Sequence, residues 1–358
     1  MSKHIHGGNV YKYKGCIDFS ANCNPLGTPE RVIEAGISGL YQSAQYPEVG
    51  YAPLRKAIAE YEKVTADQVI CGNGAAELIF TLCRARNPKR ALLLAPTFAE
   101  YQQALESVAC DITYYYLENQ NGFRIKEDFL QVLNQEIDIV FLCNPNNPTG
   151  ILTDREFLLE ILETCKKNDI FLVVDECFQD FIELPDSFTL KEQLDSYENL
   201  FLLKAFTKRY AMAGIRLGYG LTGNKELMEQ MELCTQPWNI STIAQQCGIA
   251  ALKETEYVEK SRRILFEEQK FLKKEMEQLG LEIYDSRANY IFFHGPEDLF
   301  ERCLVKKILI RDCSNYEGLG KGYYRIAVKL HEDNQKLMQV LKECMSAEAR
   351  RRNMSCNA

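Results

Sequence analysis

The stretch FLLKAFTKRYAMAGIRLGYGL, residues 201–221, sets the reading of the whole chain. It opens as an apolar run, crosses a polar segment and closes in a second apolar run. That is the pattern of a strand, a loop and a returning strand. Lys208 sits in the loop with Thr207 before it, and Arg216 follows eight positions on. A lysine in a loop is ordinarily just solvated, so the rest of the chain must supply the partners that would give this one a chemical task.

Upstream, short apolar runs alternate with helical patterns. The strand-like runs are QVICG (68–72), RALLLAP (90–96), DITYYYL (111–117), DIVFLCN (138–144), IFLVVDE (170–176) and NLFLLKA (199–205). Between them, periodicity predicts helices over about 75–85, 98–109, 125–134 and 153–167, the last opened by a capping box of Thr153 and Glu156. Such alternation predicts an α/β fold: a mostly parallel sheet with helices on both faces. After Trp238 a long helical pattern, about 240–279, leaves the sheet. EIYD, NYIFFH, KKILIRD and YYRIAVK then read as short strands, with helices near 297–306 and 332–345, the makings of a smaller α+β domain. GLGKGYY (318–324) reads as a turn before the last strand. The expected organisation is a segment 1–40 packing on the small domain, a large domain 41–245, a small domain 246–345 and a disordered tail 346–358.

Composition bounds the chemistry. The chain has 358 residues, 46% of them hydrophobic and 26% charged, ample for a large core. A net charge of −8 gives no reason to expect nucleic acid or an anionic membrane as partner. No stretch approaches the roughly 20 apolar residues of a membrane span, and MSKHIHGGNV lacks the apolar core of a signal peptide. The 14 cysteines contain no C-x-x-C, so a reduced, cytosolic protein without a zinc ribbon is expected. No metal is expected. GNGAAE (72–77) has Glu77 where a dinucleotide fingerprint wants its third glycine.

In open α/β sheets ligands bind beyond the carboxyl ends of strands. CNPNNPTG (143–150) follows one such end and could present Asn147 into a crevice. Asp175 ends the run FLVVD, where a carboxylate is costly unless partnered. It could cap a helix or hold a protonated ring nitrogen. GNGAAE places Gly74 and Ala75 at a helix start, a tight turn or an anion site. Phe98 in PTFAEY could stack on a flat ring or fill core. Thr207 and Arg216 suit a phosphate, one as hydroxyl donor and one as guanidinium fork. A lysine amine, an acid for a ring nitrogen, an aromatic face, an asparagine and a phosphate cradle are together the parts that hold pyridoxal 5′-phosphate (PLP).

NNPTG (146–150), VVDE (173–176), FTK (206–208) and GIRLGY (214–219) resemble, in order and spacing, the fold-type-I PLP enzymes of the aspartate-aminotransferase superfamily. The resemblance runs to about residue 345. It implies Lys208 as the lysine joined to the cofactor, Asp175 as the partner of the ring nitrogen and Asn147 on the ring's phenolic oxygen. It implies Phe98 stacked on the ring, and Gly74, Ala75, Thr207 and Arg216 around the phosphate. Tyr46 of QYPEVGY is similar to the tyrosine that reaches a neighbouring subunit's cofactor phosphate, which implies a homodimer with shared active sites.

Within the superfamily, HGGN (6–9), DFSANCNPLG (18–27), LIRDCSNYEGL (309–319) and YYRIAV (323–328) resemble the threonine-phosphate decarboxylases of cobalamin biosynthesis. Histidinol-phosphate aminotransferases are the next relatives by pattern. The decarboxylase resemblance implies a phosphorylated amino acid as substrate, with His6, Asn22 and Arg311 on its phosphate and Arg325 on its carboxylate. Asn147 would lie close enough to touch substrate as well. Three residues after Asp175, aminotransferases usually carry a tyrosine; here stands Phe178, which has no hydroxyl to donate. Amino-group transfer on histidinol phosphate and decarboxylation of O-phosphoserine remain the alternatives. The latter differs by one methyl group, worth only about 1–3 kcal/mol in a pocket.

Overall fold

The computed structural model describes residues 7–356, with side chains described as far as residue 346. His6 therefore lies outside the described residues. A short strand β1 (Ile17–Asp18) precedes seven strands that build one sheet. These are β2 (Val69–Gly72), β3 (Arg90–Ala95), β4 (Asp111–Tyr116), β5 (Ile139–Cys143), β6 (Phe171–Asp175), β7 (Leu200–Ala205) and β8 (Gly218–Leu221). The sheet order is β2-β8-β7-β6-β5-β3-β4. β8 is antiparallel to both its neighbours, while the other pairings are parallel. The predicted strands are all present. Those at the centre, β5, β6 and β7, are buried at every residue. Helices cover both faces, so such strands appear in sequence as unbroken apolar runs.

Alternate residues feed two cores. Val140, Leu142, Leu172, Val174, Leu200 and Leu202 join one; Ile139, Phe141, Phe171, Val173, Phe201 and Leu203 join the other. The helix Arg155–Lys167 seals the first with Leu158, Ile161, Leu162 and Cys165, one stripe at helical spacing. Burying four such side chains is worth about 1.5–3 kcal/mol each, cysteine less.

The expected capping box is absent. The helix starts one residue later, after Asp154, with no side-chain cap. Thr153 remains in the preceding turn because its backbone N–H donates to Asn144 Oδ1 (2.8 Å) while Asn144 Nδ2 donates to its carbonyl (3.2 Å). Of the helix expected over 125–134 only Phe129–Val132 forms. The pattern over 240–279 is two helices, Thr242–Ala251 and Thr255–Gln278.

The remaining strands are β9 (Glu282–Ile283), β10 (Tyr290–His294), β11 (Ile308–Leu309), β12 (Arg311–Asp312) and β13 (Tyr323–Ala327). The run KKILIRD thus divides. β11 pairs in parallel with β1, while β12 joins the antiparallel sheet β12-β13-β10-β9. This pairing seats Phe19 in the core beneath the antiparallel sheet. The rest of the N-terminal segment behaves differently. Helix Glu30–Leu40 lies on helix Thr242–Ala251, so close that a Cβ on Gly39 would sit 2.9 Å from the Ile243 Cα. Val32, Ala244, Cys247 and Ala251 all belong to a core of the large sheet, which therefore extends past residue 245. The last helix is His331–Cys356, so residues 346–356, expected as part of a disordered tail, continue it. No helix of the described residues is long and apolar enough to cross a membrane.

Candidate active site

The sheet brings the motifs together at one edge. Asp175 is the last residue of β6; Asn147 lies in the loop after β5, Phe98 in that after β3, and Lys208 in the short helix Phe206–Arg209 after β7. Arg216 precedes β8. Because β8 runs against its neighbours, its start lies where theirs end, with Gly218 paired to both Gly72 and Ala205. Asp175, Asn147, Phe98, Lys208, Thr207, Arg216 and Ala75 line one cavity. From the small domain and N-terminal segment, Arg311, Arg325 and Asn22 line it too.

Gly74 adjoins the cavity at the head of helix Ala75–Arg86, with φ +83°, a conformation that side chains other than glycine strain to adopt. A Cβ there would also sit 2.3 Å from Arg216 Nη2. Gly218 is required by the same crowding, since its Cβ would fall 2.4 Å from the Ala75 nitrogen. The free N–H groups at this helix start, the Thr207 hydroxyl and the Arg216 guanidinium form a cradle with the chemistry of a phosphate site.

Asp175 is buried and doubly held. Tyr101 Oη donates to Oδ2 (2.6 Å) and the Cys177 N–H to Oδ1 (2.9 Å). Burial nevertheless pushes its pKa above the ordinary carboxylate value. Tyr101 is a residue the sequence reading passed over, although it stands in the same PTFAEY segment, one helical turn after Phe98. It stacks on Phe141 (5.0 Å) and meets the Phe98 ring edge-on (5.5 Å). Lys208 is half-buried, and its loss of solvation, reinforced by the Arg325 charge, holds its amine below the ordinary lysine value. Its Nζ lies 5.9 Å from the centre of the Phe178 ring. Phe178 thus presents carbon to the cavity where a tyrosine would present a hydroxyl.

Arg325, on β13, bridges the two domains. Its Nη1 donates to Asn147 Oδ1, its Nη2 to the Ser20 carbonyl (3.1 Å), and its guanidinium lies over the Tyr290 ring (5.1 Å). Tyr290 in turn donates to the Asn146 carbonyl (2.7 Å). With its oxygen engaged by Arg325, the Asn147 amide keeps its N–H₂ for a ligand. Arg311 is steadied by the Asp312 carbonyl (2.6 Å), Asn315 Oδ1 (2.8 Å) and the face of Tyr316 (5.2 Å). Asn22 Nδ2 and Arg325 Nε are buried without a hydrogen-bond partner among the described residues. Buried orphan donors of this kind are rare in folded proteins and fit an anionic ligand. Tyr46 lies outside this cavity, exposed and stacked on Trp238 at 4.6 Å. Two further cavity residues, Glu100 and Tyr316, were not anticipated. Only the tertiary fold brings Tyr316 to Glu100.

The donor set fits PLP on three counts. A cradle that a Cβ would obstruct suits a phosphate, a buried carboxylate suits a ring nitrogen, and a half-buried amine suits an aldehyde.

Comparison with known proteins agrees. The chain matches the family described as aminotransferase class I and II over residues 14–341. It is 35% identical to the threonine-phosphate decarboxylase of Salmonella typhimurium, over 96% of this chain and 97% of that protein. It is 30% identical to the crystal structure of the histidinol-phosphate aminotransferase from Clostridium acetobutylicum, with a TM-score of 0.86, covering 92% of this chain and 99% of that one. The L-threonine-O-3-phosphate decarboxylase from Porphyromonas gingivalis shares the fold, with a TM-score of 0.80 at 23% identity over 92% and 99% of the two chains. A family match over most of the chain and a cavity built from that family's motifs lead to one assignment: the chain belongs to the class I and II aminotransferase family of PLP-dependent enzymes.

Proposed function

We propose that the protein is a PLP-dependent carboxy-lyase that converts L-threonine O-3-phosphate to (R)-1-amino-2-propanol phosphate and CO₂, the linker precursor of cobalamin biosynthesis. The observation that carries this reading is the pair of buried arginines, Arg311 and Arg325, in the same cavity as Lys208. Two anionic groups on one small substrate need two such anchors, and a homologue 35% identical over nearly the whole chain is named for that reaction.

When bound, PLP supplies an electron sink for the pair released at Cα. The residues of this chain decide which bond releases it. Lys208 holds the aldehyde carbon, Asp175 keeps the ring nitrogen protonated, and the Asn147 amide donates to the phenolic oxygen. Gly74, Ala75, Thr207 and Arg216 grip the cofactor phosphate, and Phe98 stacks on the ring. Arg311, with Asn22 and His6, binds the substrate phosphate, and Arg325 binds the carboxylate. Fixing both ends would select which bond at Cα is held for cleavage, on this reading the bond to the carboxylate rather than Cα–H. The Lys208 amine, displaced by the substrate's own amine, would be the group placed to return a proton to Cα once CO₂ has left. Loss of solvation suits the lysine to that task by lowering its pKa.

The protein also acts as a homodimer on this reading. Ile37, Leu40, Tyr41, Tyr46 and Trp238 are exposed apolar side chains in the segments flanking the site, and a second copy would cover them. Tyr46 would then reach the partner's cofactor phosphate.

The deciding assay supplies L-threonine O-3-phosphate to the PLP-loaded protein and measures CO₂ and amine product with no 2-oxo acid present. Stoichiometric CO₂ is expected. Arg325→Ala should lower kcat/KM by the equivalent of about 2–5 kcal/mol. Product formation that depends on a 2-oxo acid, with histidinol phosphate as the better donor, would assign the aminotransferase reaction instead.

A further inference from the structure

Glu100 stands second in helix Ala99–Glu106 and lines the active-site cavity together with Lys208, Asp175, Arg311 and Tyr316. Its Oε2 is shut off from solvent. A carboxyl group in a cavity built to take a phosphorylated, carboxylated substrate is unexpected. As an anion it would repel both substrate charges; as an acid it would be an oxygen donor beside the Arg311 guanidinium.

We propose that Glu100 is a specificity-determining residue that binds in its neutral form and donates a hydrogen bond to the substrate's phosphate, so that anion binding is coupled to protonation of this one carboxyl. The inference rests on the reading of Arg311 as the phosphate anchor.

Three observations support it. The residue occupies the wall shared by the lysine and Arg311. Burial pushes its pKa up to about 7, against the opposing pull of its own backbone N–H, Lys208 and Arg311 and with a contribution from Asp175. A bound phosphate dianion adds a further negative charge nearby, which favours the neutral acid still more. Among the charged and titratable groups of the described residues that act on it, Lys208 and Arg311 favour its anion, Asp175 favours its neutral form, and Tyr316 lies close enough to feel its charge.

The sign follows. Below pH 7 the acid is already in place and the anion binds without proton uptake. Above pH 7 the site must take up a proton to bind, and affinity falls by up to about tenfold per pH unit.

The test measures binding of inorganic phosphate to the PLP-loaded protein by calorimetry, from pH 6 to pH 9 and in buffers of different ionisation enthalpy. Glu100→Gln keeps a donor that does not titrate; Glu100→Ala removes the donor. At pH 6, Glu100→Gln should bind like the wild type and Glu100→Ala several-fold more weakly. At pH 8.5, the wild type should take up close to one proton more than Glu100→Gln and bind more weakly than it. Cofactor absorbance reports that each variant remains folded. Equal proton uptake in wild type and Glu100→Gln would overturn the proposal, as would undiminished binding by Glu100→Ala at pH 6. Because phosphate binding is read without turnover, failure here is separable from failure of the decarboxylase reading, which the CO₂ assay decides.

Discussion

Asp175 and Glu176 are neighbours in the chain, and Lys204 and Lys208 are four residues apart, yet one member of each pair lines the cavity and the other belongs to a separate cluster of paired charges. In that cluster, Lys204 Nζ lies 3.2 Å from Glu176 Oε2 and 3.4 Å from Glu62 Oε1, and Lys191 Nζ lies 3.0 Å from Glu62 Oε2. Thr189 donates to Glu176 at 2.9 Å. Burial alone would lower the Lys204 pKa, but the two carboxylates prevail and raise it. Burial would likewise raise Glu62, and Lys204, Lys191 and Arg209 together hold it at about 2 instead. In the cavity loss of solvation prevails: Lys208 is lowered and Asp175 raised. The lysines thus divide by partnership, whereas Glu176, like Asp175, is held above the ordinary carboxylate value by burial, despite Lys204. The charges of the cluster are completed by the chain, and those of the cavity are left for a ligand to complete.

The severest way to break this comparison is to remove each lysine in turn. Lys208→Ala should cost about 10⁴-fold or more in turnover. It should also abolish covalent retention of the cofactor after borohydride reduction, leaving thermal stability close to that of the wild type. Lys204→Met should do the reverse. It strands Glu62 and Glu176 without their shared cation, so unfolding free energy should fall by about 3–5 kcal/mol, while reduction still fixes the cofactor to Lys208. The loss should depend on pH with a defined sign. Glu62 is depressed in the folded state, so its contribution is present above the ordinary carboxylate value and fades as pH falls toward about 2. Urea titrations should therefore show the variant's deficit large at pH 7 and smaller at pH 3. An equal deficit at both pH values would show that the cluster contributes by packing rather than by charge.

The two regions also differ in how far the sequence disclosed them. The cavity residues lie in short motifs at strand ends, where chain direction alone predicts convergence, and Asp175, Asn147 and Lys208 could be placed from the alternation of runs. The paired cluster offered no such signal. Lys204 is embedded in the apolar run FLLKA, and its partners come from helix Ala52–Glu62 and from the residue that follows β6, so only the tertiary fold makes the cluster visible. Local rules failed where a distant group competed for the same atoms. Thr153 and Glu156 satisfy the pattern of a capping box, but Asn144 engages the Thr153 backbone first. The N-terminal segment was assigned to one domain because it is too short to fold alone. The structure divides it, with β1 on β11 and helix Glu30–Leu40 on the large domain, because its apolar residues serve two cores.

The finest test concerns how the cavity keeps an incompletely paired acid in use. Asp175 must be ionised to hold a protonated ring nitrogen, but burial favours its neutral form. Three hydrogen bonds oppose burial, from the Cys177 side chain, the Tyr101 hydroxyl and the Cys177 N–H. Tyr101→Phe deletes that hydroxyl while preserving the ring that stacks on Phe141. Hydrogen bonds to charged groups are worth about 1.5–3 kcal/mol, and the Cys177 N–H remains, so a loss of about tenfold in kcat/KM is expected. The direction with pH is more telling than the size. With one donor gone the Asp175 pKa rises further, so the acid limb of the kcat/KM profile should move to higher pH while the alkaline limb stays in place. An unshifted acid limb would mean that Tyr101 serves Asp175 only as packing and that the Cys177 side chain and N–H set the charge of this acid.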